Sequence, residues 1–261
     1  MKSELPVLIC YSRSGGTLLN RILGSLKNVI VLSEVNPWGS FKPMLEQAQE
    51  WLCLINDEER RDLEDKTFVE QIRELQKRAE NKGKRIIVRD WTVANFFSGI
   101  IQGKKPSRKL ETLEALKSEY LLKPLVLMRD PYSTWVSNHE NFSQYFKMDA
   151  QQFFSDYYQY LISIQDIPRL KLEDLTAFPK EYIEWICQYW KLSFDENCLN
   201  HYADFNRCTG DNTLAKEINK NNKIERIIAR PWPKGMDHYM KKNLQRIYGL
   251  TSYDLPKTGL I

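Results

Sequence analysis

Closely spaced cysteines, clustered histidines, long apolar runs and a large charge surplus are all missing from this chain of 261 residues. Its five cysteines (Cys10, Cys53, Cys187, Cys198, Cys208) form no CxxC pair, and their number is odd. A disulfide framework or a zinc site needs tighter spacing, so reduced and mostly buried thiols are expected. The three histidines, His139, His201 and His238, are scattered with no HExxH spacing, which weighs against a metal site built by the protein. Apolar runs such as Val29-Ile30-Val31-Leu32 and Leu125 to Met128 fall far short of the ~20 residues that span a bilayer. No integral membrane segment is therefore expected. Met1 stands six residues before the apolar stretch Val7-Leu8-Ile9-Cys10, too close to fit a secretory signal, so a cytoplasmic location is expected.

What is present is ordinary in amount and specific in placement. Thirty-eight Lys and Arg against 34 Asp and Glu leave a formal charge of +4, too mild to imply nucleic acid but compatible with a local anion site. A composition that is 42% hydrophobic and 12% aromatic can build a core, which excludes a disordered chain. Val7 to Cys10 reads as a strand, followed by Ser-Arg-Ser-Gly-Gly and then Leu18, Leu19, Ile22, Leu23 and Leu26 at helical spacing. Val29–Leu32, Arg85–Val88, Leu125–Met128 and a short Leu170–Leu172 are the further strands. Phe41–Lys82, Leu110–Leu121, the stretch after Pro131, Asp149–Ile164, Pro179–Trp190 and Met236–Ile247 read as helical. The polar stretch Asn219 to Lys223 reads as a loop. Short apolar strands alternating with helices imply an α/β fold, a central mainly parallel sheet flanked by helices. No composition break divides the chain, so residues 1–261 read as one domain.

Two stretches carry chemistry. Tyr11-Ser12-Arg13-Ser14-Gly15-Gly16-Thr17-Leu18 joins the first strand to a helix. Glycines let the backbone curl so that N–H groups face inward, the helix adds its positive end, and Arg13 adds a full charge. Hydroxyls of Ser12, Ser14 and Thr17 can donate further bonds. The alternative is a plain strand-to-helix turn. A Walker loop needs GxxxxGK[ST], and no lysine follows these glycines; GxGxxG is also absent. The second stretch runs from Leu125-Val126-Leu127-Met128 through Arg129-Asp130-Pro131 to Ser137. Arg129 can fork onto a phosphate and Ser137 can add a hydroxyl, although an Arg-Asp pair at a strand end is also a common surface ion pair.

Together, Arg13-Ser14-Gly15-Gly16-Thr17 and Arg129…Ser137 resemble the motifs of sulfotransferases that use 3′-phosphoadenosine 5′-phosphosulfate. In that family the first loop binds the 5′-phosphosulfate, and the arginine with a serine eight residues on binds the 3′-phosphate. Leu172-Glu173-Asp174-Leu175 followed by Pro179 is similar to a third family segment, and the similarity covers roughly residues 5 to 200. An arginine in the loop is closer to the carbohydrate and tyrosylprotein enzymes than to the cytosolic ones. Three departures stand out: Gly16 replaces Ser or Thr, Leu172 replaces a tyrosine, and Arg89-Asp90-Trp91 stands where cytosolic members have their histidine.

The resemblance implies a P-loop-like sulfotransferase fold, transfer of a sulfuryl group to an acceptor hydroxyl, adenosine 3′,5′-bisphosphate as product, and no metal. Cations must meet the sulfonate and the leaving phosphate, and a base must take the acceptor proton. Glu34, just after the second strand, is read as that base, as the tyrosylprotein type places a glutamate there. The alternatives are a solvated acid or a partner for Arg13, and Asp90 is the second choice of base. Arg89, with Arg13, is read as stabilising developing charge, or else as a partner of Asp90. Arg230-Pro231-Trp232-Pro233-Lys234-Gly235 is either a late loop in which Arg230 and Lys234 close over the nucleotide, or a surface turn. Residues 41–82 are expected to shape acceptor access. Trp38, Trp51, Trp91 and Trp135 either line an acceptor pocket or belong to the core. The acceptor is a sugar, a phenol, a lipid or a small metabolite, and no nucleic-acid partner is expected. The competing functions are an ATP-dependent kinase-like phosphotransferase and a non-catalytic nucleotide-binding module.

Overall fold

Strands β1 (Glu4–Cys10), β2 (Val29–Asn36), β3 (Gly39–Ser40), β4 (Arg85–Asp90), β5 (Leu121–Met128) and β6 (Arg169–Lys171) form one sheet in the order β3-β2-β4-β1-β5-β6. They belong to a computed structural model that describes residues 2–101, 103–142, 150–210 and 223–254. All neighbours are parallel except β3, a short hairpin partner of β2 that the apolar pattern did not reveal. From β1 the chain builds outward to β2 and returns through β4, then crosses to β5 on the other side. The sheet therefore reverses direction at β1, and the crevice over its carboxyl end is where open α/β sheets bind ligands.

The period of two along each strand separates the core into two layers. Leu5, Val7 and Ile9 of the first strand, and Tyr11 just after it, face one side, with Ile30, Leu32, Ile86, Val88, Val126 and Met128. Leu8 and Cys10 face the other, with Val29, Val31, Ile87, Leu125 and Leu127. In chain order the helices are α1 (Gly16–Gly24), α2 (Met44–Glu46), α3 (Asp57–Glu64), α4 (Phe68–Asn81), α5 (Val93–Phe96), α6 (Glu111–Leu116), α7 (Pro131–Phe142), α8 (Ala150–Ser163), α9 (Leu172–Ala177), α10 (Pro179–Trp190), α11 (Cys198–His201) and α12 (His238–Tyr248). The first layer takes its helical cover from α4, α8 and α12, the second from α1, α9, α10 and α11.

Several elements are shorter than their sequence pattern suggests. Residues 41–82 are not one helix. A π-helical turn, Gln47–Trp51, follows α2 directly, and Asn56 and Thr67 begin α3 and α4 with capping boxes. The expected helix at 110–121 stops at Leu116 because Leu121 already pairs with Glu4 in the sheet. The last strand ends at Lys171, and Leu172 starts α9. Of the expected loop at 219–223 only Lys223 lies within the described residues, and Asp149 lies outside them. Four of the five cysteines are buried and Cys53 is exposed. No described helix is long and apolar enough to cross a membrane.

Two buried polar anchors tie helices and loops to this sheet. Trp190 is fully buried in α10 and donates its indole N–H to the Lys123 carbonyl of β5 at 2.9 Å, beside a Tyr189 hydroxyl bond to the Pro124 carbonyl. Asp90, 2% exposed, accepts from Asn36 Nδ2 at 2.9 Å, from Thr92 Oγ1 at 2.7 Å and from Thr112 Oγ1, joining β4 to β2 and α6. Burial pushes the Asp90 carboxyl above its ordinary range against the pull of these donors.

Each anchor has a measurable consequence. Trp190→Ala removes a filled core volume and should cost about 3–5 kcal/mol in urea denaturation. A folded-state pKa raised above the unfolded value means that the folded chain holds a proton the unfolded chain releases. The stability contribution of Asp90 should therefore fall as pH rises from the ordinary aspartate value through the raised one. Asp90→Asn should remove that slope, read as the difference between the two proteins across a denaturation series from pH 4 to 7.

Candidate active site at the carboxyl end of the sheet

The first loop is shaped by close approach. Arg13 and Gly15 both take the left-handed backbone region, with φ of 64° and 87°. A Cβ on Gly15 would clash with Leu172 Cδ1, so Leu172 packs directly under the loop. A Cβ on Gly16 would stand 3.0 Å from Arg89 Nη2 and 3.1 Å from Cys10 Cβ. The space that a side chain on Gly16 would take is filled by a guanidinium. The first intrahelical bond of α1 runs from Leu19 N–H to the Gly15 carbonyl at 3.1 Å. The N–H groups of Gly16, Thr17 and Leu18 therefore lead the helix with no carbonyl of their own helix to bond. Ser14 is 1% exposed, and its hydroxyl finds no partner among the described residues.

The second stretch is bonded to the first. Arg129 follows β5 and donates Nη1–H to the Arg13 carbonyl at 3.2 Å, while its Nε–H finds no partner among the described residues. Arg13 Nε–H donates to Ser137 Oγ at 3.1 Å. Asn138, which sequence reasoning passed over although it adjoins Ser137, exchanges bonds with Ser12: it accepts from the hydroxyl and donates to the carbonyl at 3.2 Å. Arg230 also arrives here. Its backbone N–H donates to Ser133 Oγ at 2.8 Å, and its guanidinium forks onto Glu140 at 2.8 and 3.0 Å. Burial lowers the Arg129 pKa, Glu173 works against that shift, and the nearby charges of Arg230 and Arg13 add to it. Lys234 is exposed on the turn beyond.

Partners distant in sequence hold this arginine end in place. Asp130 caps α7 by accepting from Ser133 N–H and Oγ–H, both at 2.7 Å, and takes a further bond from the Tyr248 hydroxyl. Glu173 accepts from Asp130 N–H at 3.0 Å and from the Tyr253 hydroxyl at 2.6 Å. Glu173 lies in the Leu172–Leu175 segment singled out from the sequence. Tyr248 and Tyr253 carried no sequence signal.

The acidic side of the site differs from the sequence expectation in position and partner. Glu34 does not follow β2 but lies inside it, where the register with β4 slips between Leu32 and Val35. Its φ is 51°, and its carboxylate meets Arg89 Nη2 at 2.9 Å rather than Arg13. Arg89 accordingly pairs with Glu34 rather than Asp90, and its Nη1–H reaches Ser33 Oγ and the Thr209 carbonyl, each at 3.3 Å. The Arg89 side chain is 6% exposed and that of Glu34 19%, so the carboxylate borders the opening. Thr209 and Gly210 cross the start of α1, and a Cβ on Gly210 would stand 2.1 Å from Thr17 Oγ1.

The tryptophans divide. Trp135 is buried against Phe153 and Phe154 and belongs to the core. Trp38 lies under Lys104, Trp51 under Lys42, and Trp91 borders Gly39, all three half-buried. Among the described residues no three His, Cys, Asp or Glu side chains gather as a metal site.

The result is a continuous polar line, from Glu34 to Arg89, past Gly16 and the loop, to Arg13, Ser137, Arg129 and Arg230. It can hold two anionic groups and present one carboxylate beside them. No family model and no curated protein matches the sequence. Solved structures do match. The sulfotransferase domain from the Synechococcus PCC 7002 olefin synthase superposes with a TM-score of 0.67 at 18% identity, over 98% of this chain and 98% of that one. The sulfotransferase domain from the curacin biosynthetic pathway gives a TM-score of 0.64 at 17% identity, over 98% of this chain and 100% of that one. This chain has the fold of those sulfotransferase domains, along almost its whole length.

Proposed function

We propose that the protein is a sulfotransferase that carries the sulfuryl group of 3′-phosphoadenosine 5′-phosphosulfate to an acceptor hydroxyl. The observation that carries the proposal is the joining of the two arginine-bearing stretches, Arg13 to Ser137 at 3.1 Å and Arg129 to the Arg13 carbonyl at 3.2 Å. Two anion sites in contact suit a nucleotide with phosphate at both ends. The buried Ser14 hydroxyl and the Arg89 and Arg129 Nε–H groups, without partners among the described residues, suit the same ligand.

The nucleotide supplies a sulfonate already activated on a phosphate leaving group. Backbone N–H groups of Gly15, Gly16, Thr17 and Leu18, with the hydroxyls of Ser12, Ser14 and Thr17, cradle the 5′ end. Arg13 and Arg89 neutralise charge there, as preorganised cations do in a site that excludes water. Arg129, Ser137 and Arg230 hold the 3′-phosphate, with Lys234 at the rim. Glu34 takes the proton of the acceptor hydroxyl, and Asp90 holds the floor beneath it. Segment 41–82 begins beside Glu34, since Phe41 N–H bonds the Glu34 carbonyl at 3.4 Å and its ring is 70% exposed. That segment, with Trp38 and Trp91, shapes entry for a sugar, phenol, lipid or small-metabolite alcohol. The arginine of the loop is closer to the carbohydrate and tyrosylprotein enzymes than to the cytosolic ones. A kinase-like reading lacks its Walker lysine, since Thr17 rather than a lysine follows the glycines.

Thermal shift separates the readings. Adenosine 3′,5′-bisphosphate at about a hundred times its dissociation constant should stabilise the fold by ~2.7 kcal/mol, whereas AMP should give much less. Stabilisation by ATP with magnesium in place of the bisphosphate would overturn the proposal. Glu34→Gln should lower turnover about 10²–10⁴-fold while calorimetric affinity for the bisphosphate stays within a few-fold. Undiminished turnover in that variant would remove Glu34 as the base, and a wild-type chain that binds the bisphosphate without any turnover would be a binding module.

A further inference from the structure

A strand that bulges leaves peptide groups without their sheet partners, and buried peptide groups must be bonded somewhere. At the β2 irregularity that somewhere is a side chain. Ser33 N–H donates to Gln47 Oε1 at 2.7 Å, and Gln47 Nε2 donates back to the Ser33 carbonyl at 2.8 Å. The second Nε2 hydrogen goes to the Lys42 carbonyl at 2.8 Å. Both Ser33 and Gln47 are fully buried. The carboxamide thus takes the place of a neighbouring strand, accepting and donating at one residue, with both of its donors in use.

Gln47 is delivered to this point by the π-helical turn it opens, marked by the bond from Leu52 N–H to the Gln47 carbonyl at 3.0 Å. Such turns insert a residue into a helix and re-aim the side chains around it. The Ser33 hydroxyl is held from the other direction by Thr209 N–H at 3.0 Å, Thr209 Oγ1 at 2.8 Å and Arg89 Nη1. With Ser33 clamped on both sides, Glu34 is left in the left-handed region, the conformation from which its carboxylate reaches Arg89.

We infer that Gln47 is a positioning residue, whose carboxamide holds the Ser33–Glu34 bulge and so aims the Glu34 carboxylate. The inference rests on the proposed role of Glu34 as base. Leucine at this position can neither accept nor donate, and an ionised glutamate cannot donate to the Ser33 carbonyl.

The test uses the full chain as wild type, Gln47→Leu, Gln47→Glu, Glu34→Gln and the double variant Glu34→Gln/Gln47→Leu. Turnover is read as adenosine 3′,5′-bisphosphate released from 3′-phosphoadenosine 5′-phosphosulfate with water as acceptor. Affinity for the bisphosphate is read by calorimetry, and amide exchange is followed across residues 31–36. Gln47→Leu should lose roughly 10–100-fold in kcat, the scale of a small misplacement of a reacting group. Its affinity for the bisphosphate should stay within about threefold, and its Ser33 amide should exchange faster. The double variant should be no slower than Glu34→Gln alone, because Gln47 acts only through that carboxylate. Wild-type kcat in Gln47→Leu, losses that multiply in the double variant, or an equal loss of nucleotide affinity would each overturn the inference. Should Gln47→Leu fail to fold, the isosteric Gln47→Glu gives the same readouts above the pH at which its buried carboxyl ionises. A wild-type chain that neither binds the bisphosphate nor turns over would sink the sulfotransferase reading alone. Exchange at Ser33 would then still decide the clamp, and unchanged exchange would overturn it.

Discussion

Guanidinium groups gathered at one end of a sheet repel one another, and the carboxyl end of this sheet carries Arg13, Arg89, Arg129 and Arg230. The strain is visible at Arg129, where burial and the charges of Arg230 and Arg13 all disfavour the charged form. The fold answers with carboxylates set against individual arginines. Glu34 takes Arg89, Glu140 takes Arg230, and Glu173 opposes the shift at Arg129 while bonding the neighbouring Asp130 N–H. Arg13 donates to a hydroxyl, the Oγ of Ser137. Carboxylates thus stand at the two ends of the line. On the proposed function, the anionic groups of the nucleotide would relieve the repulsion among these guanidinium groups.

This arrangement explains why so much chain converges on α7. From one helix Ser133, Ser137, Asn138 and Glu140 reach the backbone of Arg230, the side chain of Arg13, Ser12, and the side chain of Arg230. Asp130 caps that helix and is gripped by Tyr248 of the last helix. The arginine end therefore depends on packing made by the C-terminal part of the chain. Loss of α12 would remove the Tyr248 bond to Asp130, which lies beside Arg129.

The parts legible in the sequence are those set by local pattern. Five strands announced themselves by apolar runs, and the helix starts at Pro131 and Pro179 by proline in the first turn. Arg13, Arg129 and Ser137 were legible because a strand end, a glycine pair and a proline constrain where such side chains point. Ser33, Gln47, Thr209, Tyr248 and Tyr253 were not. Each acts across the fold through a bond to a residue remote in the chain or to a bulged peptide, and neither leaves a period in the sequence. The sequence shows Gly16 only as a glycine where the resembled family has Ser or Thr, and the close approach of Arg89 to it emerges from the fold alone.

The choice between the two acids illustrates how geometry sharpens a chemical reading. Asp90 and Glu34 lie on neighbouring strands at the same edge of the sheet, and residue type alone does not separate them. Asp90 is almost wholly buried and accepts from three side chains, and its raised pKa follows from that burial. Burial at 2% exposure, with three donors already bound, leaves Asp90 out of reach of an entering hydroxyl. Glu34 meets one guanidinium through one oxygen and borders the opening, so the second oxygen can receive a hydroxyl. The same Arg89 that orients Glu34 also lies against Gly16 of the anion loop. On the proposed function, one cation would then face both the base and the group being transferred, linking the acceptor side of the site to the nucleotide side.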